Sequence, residues 1–142
     1  MRILLDTNTL FSALLTEGNE RQLIDKAISG PHTLVFTDLI EEEAERVFFR
    51  KLSPTRTRRA QESFRILKRS KFVYTKVKEQ YERNLAGARK LINEKDAPIL
   101  AAGHQEEIGA IVTGDKGFLE NPKLKNLRGK KIFTTRELLD LL

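Results

Sequence analysis

Short apolar runs alternate along the chain with longer segments in which apolar residues recur every three or four positions. The runs predict strands buried on both faces, at residues 2–6, 33–36, 72–74, 110–113 and 132–133. The periodic segments predict helices, at about residues 19–29, 38–50, 54–70, 78–92, 96–106 and 135–142, with a helical turn at 118–119. Strands separated by helices imply a central parallel sheet with helices on both faces.

The predicted fold class is therefore α/β, a three-layer αβα sandwich. The helices between residues 38 and 70 look too long and too basic to be simple crossovers, and we expect them to form a projecting helical arm. A length of 142 residues suits one domain, spanning residues 1–142, with a full hydrophobic core.

The composition limits which catalytic and metal-binding groups the chain can offer. The chain has no cysteine, which excludes disulfides, thiolate metal sites and cysteine nucleophiles. It has only two histidines, so oxygen ligands are the main option for a metal. No apolar run is long enough to span a membrane and no signal peptide is visible, so we expect a cytoplasmic protein.

The charge is unevenly distributed. Residues 46–95 hold 16 of the 26 Lys and Arg but only 4 of the 20 Asp and Glu, which makes this third strongly basic and the remainder acidic. A basic face beside a carboxylate-rich site is what an enzyme acting on a polyanion needs. The alternative is a solvated helical face that only keeps the protein soluble.

Three carboxylates stand at the ends of apolar elements. Asp6 ends the first strand, Asp96 opens the apolar helix over residues 97–102, and Asp115 follows the strand 110–113, just past Gly114. In a parallel sheet, strand C-termini and the following helix N-termini share one edge, where open α/β sheets place their ligands. We expect these three groups to converge, and together they repel one another unless a cation lies between them. Asp6 could alternatively serve only as a helix cap.

A fourth acid must come from Glu41, Glu42, Glu43 or Glu45. At about 100° per residue, Glu43 falls inside the apolar stripe formed by Ile40, Ala44, Val47 and Phe48, while the other three fall at its edge or beyond. Glu43 is therefore the candidate, with Glu42 as the alternative. Four carboxylates without His or Cys suit Mg²⁺ or Mn²⁺ better than zinc.

The chain also carries a spaced set of motifs that resembles the PIN-domain family. In order they are ILLDTNTL, TDLIEEEAERVF, EKDAPILAAG and AIVTGDKGFL, followed by a closing KKIFTTRELLDLL. The resemblance implies a Mg²⁺- or Mn²⁺-dependent ribonuclease, with Asp6, Glu43, Asp96 and Asp115 as metal-holding catalytic residues. It also implies that Asn8, Thr37 and Thr113 lie beside them and support them.

Small members of the family resemble VapC-like toxins, which implies RNA as substrate, an antitoxin protein as partner and a homodimer. RNA processing or decay is an alternative role, and a catalytically silent RNA- or protein-binding module is another. Arg46, Arg50 and Lys116 are the candidate substrate contacts. Two departures from the family pattern are Pro98, inside the apolar helix, and Glu120, the one acid near where some members carry a fifth.

Overall fold

The strands form one parallel sheet in the computed structural model, in the order β3-β2-β1-β4-β5. The model describes residues 1–142, except for the side chains of Val47 and Phe48, so that part of the predicted apolar stripe lies outside the described residues. The strand bounds are β1 Arg2–Leu5, β2 Thr33–Thr37, β3 Val73–Lys76, β4 Ile108–Val112 and β5 Ile132–Phe133.

Helices flank this sheet in two groups. In the first, α2 packs on α1 and α8, and α1 also packs on α4; in the second, α5 packs on α6, which lies against β2 and β4. This arrangement confirms the predicted α/β fold class. The helix bounds are α1 Thr7–Leu15, α2 Asn19–Ser29, α3 Asp38–Glu43, α4 Pro54–Lys68, α5 Leu85–Arg89, α6 Ala97–Gly103, α7 Lys116–Leu119 and α8 Thr135–Leu141. Within the described part of the chain, no helix is both long and apolar enough to cross a membrane.

The segment predicted as an arm contains α-helical, π-helical and 3-10 helical turns. After α3 the chain continues as a π-helix, Ala44–Phe48, and a 3-10 turn, Phe49–Lys51. Ser53 then caps α4 by accepting a hydrogen bond from the backbone N–H of Arg56. The later turns of α4 bury Phe64 and Leu67, while most side chains in its first two turns are exposed.

Two helical predictions were wrong. Residues 78–92 do not form one helix but two 3-10 turns, Lys78–Gln80 and Glu82–Asn84, followed by α5. The break falls at Tyr81, which is buried and donates a hydrogen bond from its hydroxyl to Asp38 Oδ1 at 2.6 Å. Helix α1 was not among the predicted elements, because its apolar residues follow β1 too closely for the change of period to be visible.

The strand order places a topological switch between β1 and β4. The chain builds β1, β2 and β3 outward in one direction and then returns to add β4 and β5 on the other side of β1. Ligands of open α/β sheets bind outside the carboxyl ends of the strands at such a point. Gly103 lets α6 lie close to β4 here, since a Cβ on it would lie 2.2 Å from Ile111 Cδ1.

Candidate active site

An acid-lined cavity of about 270 Å³ opens at the carboxyl ends of β1, β2 and β4. Its acidic lining residues are Asp6, Glu43, Asp96 and Asp115, the four carboxylates singled out from the sequence. We call it the acid cavity. Its remaining lining residues are Thr7, Asn8, Thr37, Leu39, Ile40, Asn93, Lys95, Pro98 and Ile99.

Asp6 lies at the base of this cavity and has two structural bonds. Its Oδ1 accepts a hydrogen bond from the backbone N–H of Thr9 at 2.8 Å, so the residue does cap α1. Its Oδ2 accepts one from Thr113 Oγ1 at 2.5 Å. Only 5% of Asp6 is exposed, so these bonds hold a buried carboxylate in one orientation. The capping role therefore coexists with a place in the cavity.

Thr113 connects the first and last carboxylates. Its hydroxyl donates to Asp6 and accepts a hydrogen bond from the backbone N–H of Asp115 at 3.0 Å. Asp115 in turn caps α7, accepting at Oδ1 from the backbone N–H of Gly117 at 3.2 Å. A single buried hydroxyl thus fixes the relation between the ends of β1 and β4.

Asp96 precedes α6 but makes no side-chain capping bond to it. Its Oδ2 instead accepts from Asn93 Nδ2 at 2.9 Å, and Asn93 Oδ1 accepts from the backbone N–H of Asp96 at 3.0 Å. Burial raises the pKa of the Asp96 carboxyl, and the nearby Asp115 raises this pKa further, while Asn93 and Lys95 oppose the change. Asp96 and Asp115 are therefore a close pair of like-charged groups.

The four glutamates on and just after α3 differ in whether they form ion pairs. Glu41 forms an ion pair with Lys68 at 3.2 Å, Glu42 pairs with Arg46 at 2.7 Å, and Glu45 also pairs with Lys68. Glu43 lines the acid cavity and makes no ion pair with any side chain that the structure describes. The position of Glu43 agrees with the helical phase, although its role as a ligand stays a prediction.

The predicted supporting residues are also at the cavity. Asn8 and Thr37 line it, and Thr37 Oγ1 caps α3 by accepting from the backbone N–H of Ile40 at 3.2 Å. The predicted substrate contacts are not brought together there. Arg46, Arg50 and Lys116 are exposed and are absent from the lining, and Arg46 is held by Glu42.

The lining residues that were not predicted include Asn93 and Lys95, which both act on the Asp96 carboxyl. Asn93 was overlooked, although an Asn three residues before an Asp is a spacing that allows this kind of local side-chain bonding. Lys95, the residue before Asp96, is the second. It is exposed, but it also lies in the cavity lining beside Asp96 and places a positive charge among the acids.

The donor set fits a hard divalent cation. All four acidic groups in the cavity offer carboxylate oxygens, and the described lining contains no histidine. Among the side chains that the structure describes, no three acids or histidines already form a cluster that could hold an ion. Magnesium commonly takes one or two carboxylates and keeps several waters, so the Asp96 and Asp115 pair, with the cavity of about 270 Å³ beside it, is compatible with such an ion.

Comparison with known proteins gives one family and a related fold. A family model described as PIN domain matches residues 2–117. A structural match is the crystal structure of VapBC2 from Rickettsia felis bound to a DNA fragment from their promoter, with a TM-score of 0.61 and 13% identity. It covers 94% of this chain and 98% of that chain. No curated protein sequence matches the chain.

Proposed function

This chain belongs to the PIN-domain family, and from that premise we propose that it is a metal-dependent endoribonuclease that hydrolyses single-stranded RNA. PIN domains are generally nucleases that use divalent metal ions. The observation that carries the proposal is the acid cavity, which gathers four carboxylates at a topological switch point beside Lys95 and Asn93. Catalysis gives a physical reason for keeping these like-charged groups together, which a purely structural role does not.

In this proposal Asp6, Glu43, Asp96 and Asp115 hold Mg²⁺ or Mn²⁺. The ion would supply Lewis acidity toward the scissile phosphodiester and a water of lowered pKa. Thr113 orients Asp6, and Asn93 orients Asp96, because each donates a hydrogen bond to the carboxylate. Lys95 is placed to attract a phosphate of the substrate toward the acids.

We further propose that the protein is the VapC-like toxin of a toxin-antitoxin pair, acting in the cytoplasm as a homodimer and inhibited by a protein antitoxin. The likeness of fold to the VapBC2 structure supports this role over RNA processing or decay. A catalytically silent RNA- or protein-binding module is the remaining alternative, and it requires that the acids have no function in cleavage.

The test is cleavage of a single-stranded RNA by the purified protein, with Mg²⁺ or Mn²⁺ and with a chelator. Asp6→Asn is the test variant and Asp140→Asn, an exposed acid on α8, is its matched control. We expect cleavage by the wild type and by Asp140→Asn in the presence of metal, and none by Asp6→Asn or with chelator. Cleavage by Asp6→Asn at the wild-type rate, or cleavage that is insensitive to chelator, would overturn the proposal.

A further inference from the structure

A second, larger cleft lies between the end of α1, the start of α2 and α4, with a volume of about 690 Å³. Its cationic lining residues are Arg21, Arg56, Arg58, Arg59 and Arg65, and its acidic ones are Glu17 and Glu62. We call it the arginine cleft. Five guanidinium groups against two carboxylates leave it with a net positive charge.

The arginines on the first turns of α4 are not committed to other contacts. Arg56, Arg58 and Arg59 are exposed, and none of them forms an ion pair with a side chain that the structure describes. The pairs Arg65–Glu62 at 2.6 Å and Arg21–Asp25 at 3.6 Å are largely exposed. Exposed pairs stabilise a protein by at most about 1 kcal/mol, so a competing anion can replace them readily.

This concentration of like charge has a cost in the absence of a ligand. Arg56 and Arg59 are three residues apart on one helix, where like charges weaken the helix by a few tenths of a kcal/mol. Some other cations of the basic third are held by carboxylates, as Lys68, at the end of the same helix, is by Glu41 and Glu45. A guanidinium group can donate two parallel hydrogen bonds to one phosphate. A row of unpaired arginines is therefore better suited to the repeated phosphates of a nucleic-acid backbone than to isolated carboxylates.

The arginine cleft and the acid cavity lie along the same helix. Asn8, in the first turn of α1, lines the acid cavity, and Leu15, its last residue, lines the arginine cleft. At 1.5 Å per residue these two positions are about 10 Å apart along the axis. A single strand of a few nucleotides can span that separation.

We infer that the arginine cleft binds the phosphate backbone of the same single-stranded RNA whose scissile bond enters the acid cavity. The inference rests on the proposed function for its substrate class, but it concerns affinity and not the chemical step. Arg56, Arg58 and Arg59 neutralise backbone phosphates, and they bind without reading the bases.

The test measures binding without metal, so that cleavage plays no part. Fluorescence anisotropy follows a labelled single-stranded RNA of about 16 nucleotides, which is as long as the largest sites of single-strand-binding OB-folds, in chelator and over a range of salt. The test variant is Arg56→Gln/Arg58→Gln/Arg59→Gln. Its matched control removes the same charge from exposed residues outside the cleft, as Lys125→Gln/Lys130→Gln/Arg136→Gln. Thermal unfolding of both variants checks that they are folded.

We expect the cleft variant to lose at least about tenfold in affinity, and the slope of log K against log salt to become shallower by about 2, at 0.7 per phosphate for single strands. The control variant should stay within about twofold of the wild type. A third variant, with lysine at the three cleft positions, should recover most of the salt slope, because the charges return without the guanidinium geometry.

Equal losses in the cleft and control variants would overturn the inference, since a general electrostatic effect would explain them. So would unchanged binding by the cleft variant. A polyglutamate peptide that binds more tightly than the RNA, with the same arginine dependence, would also overturn it by indicating an acidic protein partner. If RNA binds through the cleft but is not cleaved with metal, the proposed function fails, while the cleft remains a binding site for the RNA backbone.

Discussion

The acid cavity and the arginine cleft, at opposite ends of α1, hold their charges in opposite ways. In the cavity, Asp6 and Asp96 are buried and oriented by hydrogen bonds from Thr113 and Asn93. In the cleft, Arg56, Arg58 and Arg59 are exposed and form no ion pair with a described side chain. Burying the acids lowers the free energy of unfolding, whereas the solvated arginines change it little.

This difference separates two kinds of function. A buried, fixed carboxylate can take part in a step whose geometry must be right to within a fraction of an ångström, and its loss should affect turnover. A mobile, solvated arginine can attract and hold a polyanion, and its loss should affect affinity and salt dependence. The following changes test whether the two regions divide the work in this way.

Of the three changes that follow, Glu43→Gln should have the largest effect. Because Glu43 is a proposed metal ligand in the acid cavity, the variant should have a kcat/KM more than about 100-fold below that of the wild type. Mutation of residues that only support metal ligands already lowers activity by up to about 100-fold. The measurement is the rate of RNA cleavage at saturating Mn²⁺. The matched control is Glu42→Gln on the same helix, where the wild-type carboxylate pairs with Arg46 and the rate should change little. A greater loss in the Glu42 variant would reverse the assignment.

A smaller effect should follow Thr113→Val, which keeps the shape of the side chain but removes its hydroxyl. Asp6 Oδ2 then loses its donor and the backbone N–H of Asp115 loses its acceptor. We expect a loss of about 10- to 100-fold in cleavage rate. Thr113→Ser should restore most of the rate because it returns the hydroxyl. If the serine variant is as slow as the valine variant, the hydroxyl does not position Asp6.

The smallest change should be one of stability, and we expect it in the acid cavity and not in the arginine cleft. Because the pKa of Asp96 is raised in the folded protein, the metal-free fold binds that proton more tightly than the unfolded chain does. The resulting stabilisation is complete below the ordinary pKa of about 4 and is lost as the pH rises through the raised value. Asp96→Asn should therefore increase the melting temperature of the metal-free protein at neutral pH.

The increase should fade as the pH drops below about 4, where the carboxyl is protonated in the folded and the unfolded wild type alike. Thermal unfolding in chelator across this pH range makes the measurement. The control is Arg58→Gln in the arginine cleft, which should change the free energy of unfolding by no more than about 0.5 kcal/mol at either pH, as is usual for exposed positions. A lower melting temperature for Asp96→Asn at neutral pH would mean that the carboxylate is structural.

Much of this arrangement could be predicted from the chain. Asp6 and Asp115 follow apolar strands directly, so parallel pairing alone brings them to one edge of the sheet. Glu43 could be separated from Glu42 because a helix fixes which positions share a face. The metal-ligand roles of all four acids remain predictions.

What could not be predicted depends on long-range contacts. The break in the segment 78–92 occurs where Tyr81 reaches Asp38, which is 43 residues away in sequence. The position of Lys95 in the cavity depends on the turn before α6, which local pattern does not determine. Helix α1 begins only one residue after β1 ends, so its apolar residues run on from those of the strand, and its capping residue is also a member of the proposed site.

The most direct test of the central claim is a Mn²⁺ titration of the metal-free protein, followed by thermal unfolding, for the wild type and for Asp115→Asn. If the acid cavity is a metal site, the wild type should gain about 2.7 kcal/mol when free Mn²⁺ reaches 100 times its dissociation constant, and its melting temperature should rise with concentration. Asp115→Asn should show little of that rise over the same range. A wild type that does not respond, or a variant that responds equally, would contradict the claim that these carboxylates form a metal centre.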